Sequence, residues 1–264
     1  MRYIILSLLL SISVFGSIYK THILDVKGDI ATIKIDDAQK GVSGIVVKKL
    51  AKNRSIIINN AEVIDFDKNK KIAKLKLTKF TMFKNNNLPD GKWSAKKGDL
   101  VIMAFGYSRG LIIAPDEDIY FTLKKAIRNE VFVHPDVFAT MLSFNGHPTP
   151  LKSDFQSFCN NVTIGLLFFY LEKKLYTVDC KTFKILNVQN APLEKNEEKL
   201  PFYSRVKKID ANWFGEGHEE LEDYEPYYYE LLYKANKDNT ALKKAIISSD
   251  DENVTKLAKE LDLK

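Results

Sequence analysis

The chain has 264 residues, 40 Lys and Arg against 34 Asp and Glu, a net charge of +6 and a pI near 9.0. The basic excess is mostly lysine, so the bidentate phosphate and guanine contacts of a nucleic-acid binder are under-supplied, while steering toward an acidic or membrane surface stays open. Two cysteines and four scattered histidines, His22, His134, His147 and His218, show no metal-ligand spacing, and nothing in the sequence implies a cofactor.

The first residues, MRYIILSLLLSISVFGSIYK, carry Arg2, an apolar run from Ile4 to Phe15, and small Val14 and Gly16 at the −3 and −1 positions of a cleavage site. This is the layout of a secretory signal peptide over residues 1–16. No Cys stands at the cleavage point to anchor a lipid. No later run reaches the roughly 18 apolar residues of a membrane-spanning helix. The mature protein is therefore expected in a periplasm or outside the cell. In such an oxidising compartment the even pair Cys159 and Cys180 reads as one disulfide closing a loop of about twenty residues, worth roughly 3 kcal/mol.

From Tyr19 to Phe105 the pattern is β. THILDV, DIATIKI, SGIVVKKL, RSIIINNAEVIDF, KIAKLKLTKF and DLVIMAF are short β-branched runs separated by turn material such as Gly28-Asp29, Gly41 and Gly98-Asp99. Ala73, Leu75 and Leu77 alternate with Lys74, Lys76 and Thr78, one face inward and one wet. The expectation is a small barrel or sandwich over residues 17–110. DFDKNKKI (Asp65 to Ile72) half resembles a calcium loop. Its sixth position is Lys70 rather than Gly and its closing position Lys76 rather than Glu, so it reads as a hairpin turn.

Residues 111–188 read as mixed α/β. LIIAP is a strand, Asp116 to Asn129 a helix with acids in its first turn and bases in its last, and VFVHP a strand. Short helices are expected over Pro135–Phe144 and Lys152–Cys159. TIGLLFFYLE, KLYTVDC and TFKIL follow as strand, hairpin and strand. Residues 189–264 read as a polar linker, NAPLEKNEEKLP, and a helical tail. Within it EGHEELEDYEPYYYELLYK is expected as a solvated amphipathic helix interrupted near Pro226, its functional alternative being a docking face for a basic partner. Ser249-Asp250-Asp251-Glu252 has the form of a capping box, and Val254, Leu257, Ala258 and Leu261 repeat at helical spacing. The fold class is α+β: an N-terminal small β-barrel or sandwich, a mixed α/β segment with one disulfide, and a helical C-terminal tail.

Gly106-Tyr107-Ser108-Arg109-Gly110 matches G-x-S-x-G, the nucleophile elbow of α/β-hydrolases, and Asp116, Asp118, His134 and His147 all follow it in the triad's chain order. The elbow requires a strand-to-helix turn, whereas LIIAP after Gly110 is a strand. The motif is expected to be a hairpin turn with Gly106 and Gly110 as its turn glycines. No phosphate loop, H-E-x-x-H or Cys-x-x-Cys is present. The reading is of a binding protein rather than an enzyme.

Several phrases in order, GDIATIKI, GVSGIVV, KKGDLVIMAFGYSRG, SRGLIIAPDEDIY, FVHPDVFATMLSFNGHPTPLKSDFQSFC and TIGLLFFYLEKKLYTVDCKTFKILN, resemble the N-terminal domain of the bacterial plasminogen-binding surface proteins, the plasminogen-binding protein A family. The resemblance covers about Lys20 to Asn187 and includes both cysteines. Larger members of that family carry a long charged C-terminal extension, in whose place this sequence has a short helical segment. The resemblance implies capture of host plasminogen, whose kringle domains hold an ammonium and a carboxylate at the two ends of an aromatic trough. Lys264, as a C-terminal lysine, would supply both charges, and cations favour aromatic faces. Lys256 and Lys259, the latter beside Glu260, could imitate the same zwitterion on a helix. The alternative is a periplasmic structural or assembly factor, an envelope scaffold or flagellar accessory, with an envelope protein as partner and incidental plasminogen binding.

Overall fold

The computed structural model describes residues 18–80, 93–128 and 130–263, and two compact units divide them, one up to Tyr107 and one from Ser108 onward. The proposed signal peptide, residues 1–16, lies outside the described residues.

The first unit is a closed six-stranded antiparallel barrel of β1 (Tyr19–Lys27), β2 (Ile30–Lys34), β3 (Ser43–Ala51), β4 (Arg54–Asp67), β5 (Ile72–Lys79) and β6 (Leu100–Met103), in the order β1-β2-β5-β4-β3-β6. β6 closes it by pairing with both β1 and β3. Alternation fills the interior: Ile23, Ile33, Val46, Val63, Ala73, Leu75 and Val101 are buried while the lysines between them face out. The register shifts between Val63 and Asp65 and between Val46 and Val47, the irregularities by which a small sheet bends enough to close. DFDKNKKI is the β4–β5 turn, with Asp67 Oδ1 accepting from the Lys70 amide at 3.0 Å. Lysines of the wall pair with aspartates on neighbouring segments, Lys74 with Asp65 at 3.0 Å and Lys71 with Asp36 at 2.8 Å. These pairs are exposed and contribute little to stability.

The second unit is a five-stranded mixed sheet, β11-β10-β9-β7-β8, carrying helices. β7 (Arg109–Ile113), α1 (Glu117–Ala126) and β8 (Val131–Val133) make a parallel crossover. α2 (Pro135–Asn145) and α3 (Lys152–Val162) then lead to β9 (Leu166–Leu171), which is parallel to β7. β10 (Lys174–Asp179) and β11 (Ile185–Asn190) finish the sheet antiparallel. All six residues of β9 are buried, as expected of a central strand covered on both faces. Leu111, Ile113, Leu167 and Phe169 join the core with Phe138, Phe155 and Phe158 of α2 and α3. Cys159 on α3 is bonded to Cys180 just after β10, so the disulfide ties that helix to the sheet.

Local caps explain the helix bounds. Asp116 accepts the Ile119 amide at 2.8 Å to start α1, and His134 accepts the Asp136 amide at 3.2 Å to start α2. Residues 191–201 form no helix or strand, as their polar composition suggested, yet they are fastened down. The Asn196 amide donates to Asp116 Oδ2 at 3.0 Å, and Tyr170 Oη donates to the Leu193 carbonyl at 2.6 Å.

The remaining helices are α4 (Tyr224–Ala235), α5 (Thr240–Ile247) and α6 (Glu252–Glu260). They lie in the same core: Tyr224, Tyr228, Tyr229, Leu232, Leu242, Ile246, Val254 and Leu257 are buried in it. The expectation of a solvated helix around Pro226 is corrected here. The acidic stretch up to Asp223 stays outside the helix, Pro226 sits in the first turn where no amide is needed, and the tyrosines turn inward. Four of the five find acceptors: Tyr224 Oη donates to the Ile113 carbonyl at 3.0 Å, Tyr227 Oη to the Pro150 carbonyl at 2.6 Å, Tyr228 Oη to the Pro201 carbonyl at 2.8 Å and Tyr229 Oη to Glu172 Oε2 at 2.8 Å. A buried phenol is tolerated on that condition. The α6 cap lies two residues beyond the expected Ser249: Asp251 accepts the Asn253 and Val254 amides.

Candidate binding surfaces

Ser108 lies in the one motif of the chain that spells a nucleophile. β6 pairs with β1 and β3 in the barrel, whereas β7 pairs with β8 and β9 in the other sheet. The expected hairpin across Gly106–Gly110 is therefore not formed. Gly106, at φ +85°, is a turn glycine. Gly110 is not. It is buried within β7, where a Cβ would come within 2.8 Å of Phe168 and 3.0 Å of Phe132, so its role is close approach of two aromatic rings. Ser108 is exposed, its carbonyl accepts the Val131 amide at 2.8 Å, and the next helix begins only at Glu117. The helix N-terminus that an elbow uses to support an oxyanion is absent from this position. Substituting Gly110 by alanine is expected to cost about 2 kcal/mol by overpacking. Urea denaturation checks this, and an unchanged midpoint would show that the rings yield.

The lysines on α6 are displayed by simple periodicity. Val254, Leu257 and Ala258 go into the core, which leaves Thr255, Lys256, Lys259 and Glu260 on the exposed face. Lys256 Nζ donates to Asn253 Oδ1 at 3.1 Å. Lys256 and Glu260 stand one turn apart, about 6 Å along the axis, so α6 offers an ammonium and a carboxylate on an accessible face. Lys264 lies outside the described residues.

Two further surfaces carry no mark in the sequence. Trp213, Phe214 and Phe144 are 97%, 84% and 92% exposed. Asn212 brings them into one neighbourhood, its amide donating to the Gly146 carbonyl at 3.0 Å and its Nδ2 to the Asn145 carbonyl at 2.7 Å. Next to them, residues 215–223 line an open groove with Thr149 and Tyr227, rimmed by Glu216, Glu219 and Glu222. No periodicity marks an isolated Trp-Phe pair in a loop, so sequence patterning carries no signal for it. The other surface is the β3–β4 hairpin end, Lys49 to Arg54, which is exposed throughout.

Among the described residues no group of three or more His, Cys, Asp or Glu is placed to hold a metal ion, and no helix is long and apolar enough to cross a membrane.

The family described as "Plasminogen-binding protein pgbA N-terminal" matches residues 18–232. The chain belongs to this family. Two curated relatives, both "Plasminogen-binding protein PgbA" from Helicobacter pylori (strains J99 and 26695), are each 27% identical over 217 residues, which cover 81% of this chain and 47% of the relative. The chain thus spans about half the length of the curated relatives it matches. The family match takes in the barrel, the disulfide and the sheet, and ends within α4. Lys256 and Lys259 lie beyond it on α6.

Proposed function

We propose that this chain is an exported envelope or surface protein that binds and does not catalyse, and that it captures host plasminogen through lysine side chains read by kringle domains. Membership of a plasminogen-binding family over 18–232 carries this reading. The exposed α6 face with Lys256, Lys259 and Glu260 supports it by offering the charge pair such a site accepts, with Lys264 as a further contributor. An ammonium enclosed by a carboxylate and aromatic faces gains both a charge-assisted hydrogen bond and a cation–π contact.

The test is plasminogen binding to the full 264-residue chain at physiological salt, with a soluble lysine analogue as competitor. The analogue is expected to abolish binding. The combined variant Lys256→Ala/Lys259→Ala with Lys264 deleted is expected to weaken it on the order of tenfold or more, as for a close interfacial charge contact. Binding that ignores both changes but fades with salt is diffuse charge attraction, and it would overturn the lysine-site reading in favour of an envelope structural role.

A further inference from the structure

The barrel unit carries the molecule's net positive charge. Residues 18–107 contain 18 Lys and Arg against 9 Asp and Glu, while residues 108–264 contain 21 against 25. That excess has a focus. β3 pairs with β6 only as far as Val47↔Leu100, and β4 pairs with β5 only from Asn59↔Lys79 onward. Between these limits β3 and β4 pair with each other, Lys48↔Ile56, Lys49↔Ser55 and Ala51↔Arg54. Among the described residues the hairpin therefore continues past its barrel neighbours as a two-stranded arm, and every residue from Lys49 to Ser55 is exposed.

The arm is basic without compensation. Lys48, Lys71, Lys74 and Lys76 each pair with an aspartate. Lys49, Lys52 and Arg54 enter no ion pair among the described residues, and no acid lies between Lys49 and Ser55. The arm also has an apolar component. Leu50 is 43% exposed among these cations. Trp93, half-exposed, lines a groove with Ile56 and Ile57 at the arm's base, where Lys48 Nζ donates to the Ser94 carbonyl at 3.4 Å.

We propose that this β3–β4 arm docks the barrel onto an anionic phospholipid surface. Exposed lysines beside an exposed leucine suit the headgroup layer, as does a half-exposed tryptophan. Basic residues near an anionic leaflet are drawn to it within a Debye length. A single-stranded nucleic acid is a poorer fit, since the turn has no aromatic platform on which bases stack.

The experiment is sedimentation of the full chain with phosphatidylglycerol–phosphatidylcholine vesicles and with pure phosphatidylcholine vesicles. The apolar run Ile4–Phe15 is common to every variant, so ratios between variants isolate the arm. Each basic residue near the surface is worth about fivefold in partitioning, so Lys49→Glu/Lys52→Glu/Arg54→Glu is expected to lower binding to anionic vesicles by on the order of 100-fold. Leu50→Ser, at unchanged charge, is expected to lower it by roughly threefold. A charge-matched control at exposed lysines of the other unit, Lys125→Glu/Lys207→Glu/Lys237→Glu, is expected to have a far smaller effect. All these side chains are exposed, so thermal midpoints should match the parent and loss of fold does not confuse the result. Equal loss in the control, an equal loss by the arm variant on neutral vesicles, or loss of oligonucleotide binding with vesicle binding intact would each overturn the proposal.

Discussion

Replacing Cys159 and Cys180 together by alanine is expected to lower the stability of the unit from Ser108 onward by roughly 3 kcal/mol. The bond joins residues 21 apart, and closing a loop of that size removes about this much chain entropy from the unfolded state. Native contacts near the bond do not depend on it. The Ile164 amide still donates to the Cys159 carbonyl at 2.9 Å, and the Cys180 amide to the Gly165 carbonyl at 3.0 Å. Both cysteines are buried, 2% and 0% exposed, so alanine is the right replacement. Serine would add two hydroxyls in need of partners. Calorimetry should show the transition of this unit falling by about 6–12 °C, with barrel melting unmoved. Reductant should shift the parent in the same direction and leave the variant alone. A fall of less than about 1 kcal/mol would mean that the unfolded chain is already held compact around α3 and β10.

The barrel's strands were legible because their signal is local, whereas the choice of barrel over sandwich rests on β6 pairing with both β1 and β3, far apart in the chain. β5 places Ala73, Leu75 and Leu77 inside and Lys74 and Lys76 outside, and a period of two says as much without knowledge of the partner strand. Helix α1 was legible for the same reason, since Asp116, Glu117, Lys124 and Lys125 mark its ends within ten residues. Apart from the α6 cap, where Asp251 outcompetes Ser249 within the same turn, the differences concern what a segment meets from far along the chain. Nothing in YEPYYYELLYK says that the Ile113 and Pro201 carbonyls wait for the Tyr224 and Tyr228 hydroxyls, so an acidic, tyrosine-rich helix looked solvated. Nothing in GYSRG says that its two flanking strands enter different sheets. Gly110 looked like a turn glycine because glycine reports a tight approach equally well, and the rings that approach it come from Phe132 and Phe168.

The candidate surfaces divide along the same line. The α6 lysines are the complement of a 3.6-residue apolar repeat and could be placed from sequence. The arm needed register, because Lys49 to Arg54 reads as an ordinary strand end until β6 and β5 are seen to stop short of it. The basic barrel arm and the α6 face also call for different binding chemistry, diffuse attraction to a charged sheet of headgroups in one case and a fitted lysine pocket in the other. Salt should weaken the first steeply, whereas a lysine analogue should compete only with the second.

Glu225→Gln is expected to stabilise the protein at about pH 8 by roughly 3 kcal/mol and to have almost no effect near pH 4.5. Glu225 lies at the start of α4 and is 6% exposed, with no hydrogen-bond partner for Oε2. Burial raises its pKa from 4.5 to about 7, against the pull of Lys195, whose Nζ lies 3.6 Å away. That pull is diluted because the same ammonium pairs with Glu198 at 2.5 Å, while Glu198, Glu172 and Asp251 push the pKa further up. The sign follows from proton binding. Between pH 4.5 and 7 the folded state holds this proton and the unfolded chain does not. The group's stabilising contribution is therefore fully present below 4.5 and lost as pH rises through 7. At pH 8 the carboxylate must ionise in a buried site, a cost of roughly 1.4 kcal/mol per unit of displaced pKa, which the neutral amide avoids. Urea titrations of parent and variant at about pH 5 and about pH 8 decide the matter. A gain that grows between the two identifies Glu225 as a buried acid held largely uncharged. A loss of the same size at both would assign it instead a permanent ion pair with Lys195.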